Sequence, residues 1–98
     1  MGKIRRLVLD VLKPMDPNII DLSRVLSELD GVDAVNISIY EIDRKVENAK
    51  ITVEGSDLNY EVIQRVIEDE GGTVHSIDEA VAGKIIIDDA QTPQDYPG

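Results

Sequence analysis

The sequence predicts a single α+β domain whose elements run β-α-β-β-α-β. Three observations predict it. Apolar residues recur at every second position over 4–13, 32–43 and 46–54. Two intervening stretches instead carry them at three- and four-residue steps, and Gly or Pro punctuates almost every change of period. The length, 98 residues, suits one core, and a chain of that size buries roughly two thirds of its unfolded surface without needing staples.

Over residues 4–13, Leu7, Leu9 and Val11 share one face, and Ile4, Arg6, Val8, Asp10 and Leu12 share the other; Pro14 ends the run. Asp16-Pro17 reads as an N-cap followed by a proline at the first helical position. Ile19, Leu22, Val25, Leu26 and Leu29 then form an apolar stripe, and Gly31 is the left-handed terminator. In the next run Val35, Ile37 and Ile39 point inward, while Asn36, Ser38 and Tyr40 point outward. Arg44-Lys45 forms a short turn into a strand that alternates Ala49, Ile51 and Val53 against Asn48, Lys50, Thr52 and Glu54. Asp57 is positioned to cap a second helix that buries Val62, Ile63, Val66 and Ile67 and stops at Gly71-Gly72. A fourth strand spans residues 73–81, interrupted by His75, Asp78 and Glu79.

Right-handed crossovers place both helices on one face of a four-stranded antiparallel sheet, the ferredoxin-like sandwich, and leave the other face open. The domain occupies residues 1–83. Residues 84–98 form an extension: a β-prone run with Ile85, Ile86 and Ile87, then an irregular tail.

Composition closes off several functions. The chain has no Cys, which removes disulfides, thiolate metal sites and cysteine nucleophiles. Twenty acidic against ten basic residues give a formal charge of −10, which opposes nucleic-acid backbones and anionic membranes. No run approaches the ~20 apolar residues of a membrane span, and no signal-peptide pattern follows Met1, so a cytoplasmic location is expected.

Several blocks resemble the archaeal domain-of-unknown-function family DUF211. They are Val8-Leu9-Asp10-Val11-Leu12-Lys13-Pro14, Gly31-Val32-Asp33-Ala34-Val35-Asn36-Ile37, Tyr40-Glu41-Ile42-Asp43, and Gly71-Gly72-Thr73-Val74-His75-Ser76-Ile77-Asp78-Glu79 with Val81-Ala82-Gly83. The tail Thr92-Pro93-Gln94-Asp95 is similar too. The resemblance implies a ferredoxin-like fold, an archaeal origin, ring-like homo-oligomers and no assigned activity. Relatives carry His where this chain has Met15, so a site in the first loop is not expected here.

Chemistry hosted by this fold elsewhere finds little purchase. The first loop, Pro14-Met15-Asp16, lacks the paired cysteines of heavy-metal domains and the Arg of acylphosphatases, although Asn36 is present. A sheet face stacking RNA bases needs aromatics, and only Tyr40 is offered. His75, the sole histidine, is placed to pair with Asp10 on the first strand but has no nucleophile beside it.

Two features remain. Asp78, Glu79, Asp88 and Asp89 are candidate ligands for Ca2+ or Mg2+, assembled in space because no EF-hand spacing exists. The stronger feature is self-association. The second strand is an exposed edge, long and aliphatic, with nothing evident to blunt it, and Ile85, Ile86 and Ile87 need an edge to pair with. Arg5 and Arg6 are expected to bridge to a neighbour's acidic rim. Tyr40, with apolar Val8, Leu12, Ile42 and Ile77 on the open face, extends the interface. The sequence therefore points to a non-catalytic homo-oligomeric binding or regulatory module, a closed ring, taking a small molecule or cation at subunit boundaries. A carboxylate-based divalent-cation protein is the alternative, and an acylphosphatase-like hydrolase the weaker one.

Overall fold

A computed structural model of the chain describes residues 2–88, so Asp89 and the remaining tail lie outside it. The elements are β1 (Ile4–Pro14), α1 (Ile19–Ser27), β2 (Val32–Asp43), β3 (Val46–Gly55), α2 (Tyr60–Asp69) and β4 (Thr73–Ala82). The sheet is antiparallel throughout, in the order β2-β3-β1-β4, so β2 and β4 are its edges. The architecture is the ferredoxin-like sandwich.

The core lies between the sheet and the two helices. Leu7, Leu9 and Val11 of β1 and Ile51 and Val53 of β3 meet Leu22 and Leu26 of α1, Ile63 and Ile67 of α2, and Leu58 just before α2. Each is buried, and full burial of such a side chain is worth about 1.5–3 kcal/mol. No helix of the described residues is long and apolar enough to cross a membrane.

Both helices start two residues later than the acidic residues suggest. Asn18 caps α1, its side-chain oxygen accepting the Asp21 N–H at 2.9 Å, and Asn59 caps α2 by accepting the Val62 N–H at 3.2 Å. Asp57 fails as a cap because the next residue belongs to the sheet end: the Leu58 N–H donates to the Ile4 carbonyl at 2.9 Å. The peptide after Asp16 is cis, and Asp16-Pro17 forms the connecting turn rather than the helix start. The Arg44-Lys45 turn is as expected, with Arg44 at φ +59.

Five irregularities of strand register set where side chains point. Arg5 is the extra residue of β1 opposite β4, Asp33 and Tyr40 are those of β2, and His75 and Asp78 those of β4. Each extra residue shifts the alternation beyond it, because faces repeat with period two. Three expectations change accordingly. Ile4 packs against the core rather than beside Arg6. Ile42 pairs with Glu47, the partner of Lys13, and so lies on the helix side. Ile77 pairs with Leu9 and also lies on the helix side, half exposed at the edge. The β2 edge is likewise not free of bulges; its regular stretch is residues 34–39, between Asp33 and Tyr40.

Candidate functional site

The open face of the sheet gathers most of the chain's polar chemistry. From β1 it receives Arg6, Val8, Asp10 and Leu12, and from β3 Glu54, Thr52, Lys50 and Asn48 directly opposite them. Two networks cross it.

The first centres on Arg6. Its Nε donates to Glu54 at 2.8 Å, and one terminal nitrogen donates to Glu79 at 3.1 Å and to Asp88 at 3.3 Å. One guanidinium thus faces three carboxylates drawn from β3, β4 and the segment after β4. The bonds to Glu79 and Glu54 raise its already high pKa further, so Arg6 stays charged at any working pH. Beside it, the Arg5 Nε donates to the Gly83 carbonyl at 2.7 Å, and the Gly83 N–H donates to the Lys3 carbonyl at 2.8 Å. Arg5 and Arg6, expected to reach a neighbour, are engaged within their own chain. The Asp88 end is the loosest: that side chain is 93% exposed, and exposed pairs contribute little.

The second network joins the outer strand to the inner one. Tyr40 lies on the open face, as alternation with Asn36 and Ser38 expects, and reaches over β3 so that its hydroxyl donates to Asp10; its bulge brings Glu41 onto the same face, where Asn48 donates to it at 3.1 Å. Asp10 therefore holds Tyr40, whereas His75, set aside by its own bulge, is exposed. The bond to Asp10 chiefly, with desolvation and the charges of Asp10, Glu41 and Asp78, pushes the Tyr40 phenol up from 10.0 to about 12. A raised folded-state pKa means the bond's contribution is complete below pH 10.0 and is lost as pH rises through about 12. In an ultraviolet titration, one of the three tyrosines should ionise near pH 12 and vanish from that region in Tyr40→Phe. The absence of an ionisation near pH 12 in the unsubstituted protein would count against the Tyr40–Asp10 bond.

The candidate metal ligands are scattered by these networks. Glu79 and Asp88 face Arg6, while Asp78 accepts from Ser76 Oγ at 2.7 Å. Asp89 lies outside the described residues. Among the described residues no three His, Asp or Glu side chains converge in a way that could hold a metal ion. Asn36 accepts from Ser38 Oγ at 3.3 Å on the open face.

Two cavities flank the β2 edge. On the open face, Ala34, Asn36, Ser38, Lys50, Thr52 and Glu54 line a groove of about 520 Å³. On the helix side, Ile19, Ile20, Ser23, Val35 and Ile37 border a smaller one of about 240 Å³. Ile20 is 59% exposed beside it. Beyond β4, residues 84–88 adopt no strand; Ile85 is 69% exposed, Ile86 37% and Ile87 62%.

The chain's relatives agree with the blocks that carry the resemblance. Residues 5–96 match the model of the family DUF211, described as "Uncharacterized ArCR". The chain belongs to this family. It is also 55% identical over 95 residues to "Uncharacterized protein MJ0319" of Methanocaldococcus jannaschii, an alignment covering 97% of this chain and 98% of that protein. The DUF211 match spans all six elements and continues past β4 through residues 84–88, so that segment belongs to the family's own pattern.

The residues that sequence reasoning missed are Lys13 and Glu47. They pair across β1 and β3 on the core face, the Lys13 Nζ donating to the Glu47 carboxylate and to the Pro14 carbonyl. Both are buried. The signal was present as opposite charges in phase with the apolar alternation, at the end of Val11-x-Lys13 and the start of Glu47-x-Ala49.

Proposed function

We propose that this DUF211 protein is a non-catalytic, homo-oligomeric binding or regulatory module that assembles head-to-tail through residues 84–88 and takes a small ligand at the resulting boundaries. One observation carries the reading: three consecutive isoleucines follow β4 with no strand partner among the described residues and with large exposed fractions. Exposed contiguous apolar surface on a small domain marks an interaction site. The segment leaves from β4, whereas the aliphatic β2 edge lies at the opposite side of the sheet. Strands are spaced ~4.8 Å apart, so the outer side of β2 is ~19 Å from β4, beyond the reach of a chain that has only just left the sheet. The partner is therefore a second copy, and one repeated contact of that kind closes a ring.

The side-chain networks of the two faces support a non-catalytic role. Tyr40 is held neutral by Asp10, Arg6 is surrounded by carboxylates, and Lys13 is buried against Glu47. The Tyr40 phenol, a potential nucleophile beside a carboxylate, is kept protonated by that same bond to Asp10.

Truncation after Gly83 tests the reading. It leaves the core untouched, so circular dichroism should be unchanged while light scattering reports a monomer. An unchanged oligomer mass would rule out residues 84–88 as the contact.

A further inference from the structure

We propose that the β2 edge over residues 34–39 receives residues 84–88 of a second copy as a parallel strand, with Lys84 beside Ala34, Ile86 beside Asn36 and Asp88 beside Ser38. This rests on the self-association reading and adds to it a site, a direction and a register.

The site follows from the strand geometry. Bulges at Asp33 and Tyr40 bracket the longest regular part of the β2 edge, six residues long, against five residues in the incoming segment. Bulges at His75 and Asp78 leave β4 with no comparable stretch. An added strand bonds through its backbone and is selected by pockets that take alternate side chains. The β2 edge has such pockets on both faces. The helix-side cavity, about 240 Å³, is below the ~300–1,000 Å³ usual for small molecules, and four of its six lining residues, Ile19, Ile20, Val35 and Ile37, are aliphatic. Ile85 and Ile87, the two most exposed isoleucines, share a face and would enter it beside Val35 and Ile37.

The direction follows from charge. On the open face, Ala34 is opposite Glu54 and Ser38 is opposite Lys50, so β3 presents minus then plus across four residues of β2. The segment carries the complementary order over the same spacing, Lys84 then Asp88. A parallel strand sets Lys84 toward Glu54 and Asp88 toward Lys50, with only the small side chains of Ala34 and Ser38 between them. An antiparallel strand would oppose like charges, which interfaces avoid. Among the described residues Lys50 has no carboxylate within ion-pair distance, so it has a charge to offer. The exposed Asp88–Arg6 pair is the contact released on docking.

The chain has no native Cys, so thiols can be placed singly. Full-length Ala34→Cys is mixed with full-length Lys84→Cys, or with Asp88→Cys, and treated with a short bifunctional thiol reagent after light scattering has recorded the assembly. The 34–84 pair should give a covalent dimer and the 34–88 pair essentially none. Lys50→Glu should weaken association at least about tenfold, and adding Asp88→Lys should restore it. An assembly that cross-links through 34–88, or through neither pair, overturns this register while leaving self-association standing. A monomeric intact chain overturns both.

Discussion

Glu47→Gln is expected to destabilise the domain by about 3–5 kcal/mol, read as a shift of the urea midpoint at fixed protein concentration. The Lys13 side chain is 1% exposed and that of Glu47 9%, so neither end can recover its interaction from water. Glutamine keeps an acceptor oxygen but no charge, so the buried ammonium is left with neutral acceptors only, that amide and the Pro14 carbonyl at 2.8 Å. The cost is that of an uncompensated buried charge rather than the worth of the pair itself. Replacing both partners, as Lys13→Met with Glu47→Leu, should therefore recover most of the loss or exceed wild type. A loss below ~1 kcal/mol in the single variant would mean the pair behaves as a solvated surface bridge.

The second large effect is at Gly55, where α1's exit meets the end of β3. A Cβ there would overlap the Gly31 carbonyl oxygen and approach Leu58 Cδ2 at 2.8 Å. Gly31 cannot retreat freely, because its carbonyl accepts the Ser56 N–H at 3.0 Å and its own φ of +84 suits glycine. Gly55→Ala should cost about 3 kcal/mol or more, at the upper end of overpacking effects because the obstacle is backbone. Gly2→Ala, which meets nothing nearer than 3.4 Å, should stay within ~0.5 kcal/mol. Equal effects in the two variants would contradict the close approach.

The element order was legible because it depends on periodicity and punctuation, which are local. Gly31 at φ +84, Gly71 at φ +95 and the Arg44-Lys45 turn all sit where the sequence places them. The bulges were not legible. An extra residue in a strand leaves no mark in composition, yet it transfers everything beyond it to the other face. That is why Ile4, Ile42 and Ile77 belong to the helix side although simple alternation puts them on the open one. The same cause moves function-bearing residues. The bulge at Tyr40 brings Glu41 onto the open face against Asn48, and the bulge at His75 sets Ser76, not His75, opposite Asp10. The Arg6 cluster needed the β1–β3 and β1–β4 registers together, since its three carboxylates come from positions 54, 79 and 88. Lys13 and Glu47 look like ordinary strand-end charges until that register sets them face to face.

A single measurement tests the self-association most directly: the mass of the intact 10.8 kDa protein in solution by light scattering. A whole-number multiple of that mass, constant over a range of concentrations, is the result this structure leads us to anticipate. A particle of 10.8 kDa at every concentration would leave Ile85, Ile86 and Ile87 solvent-facing in the working protein and would contradict the assembly.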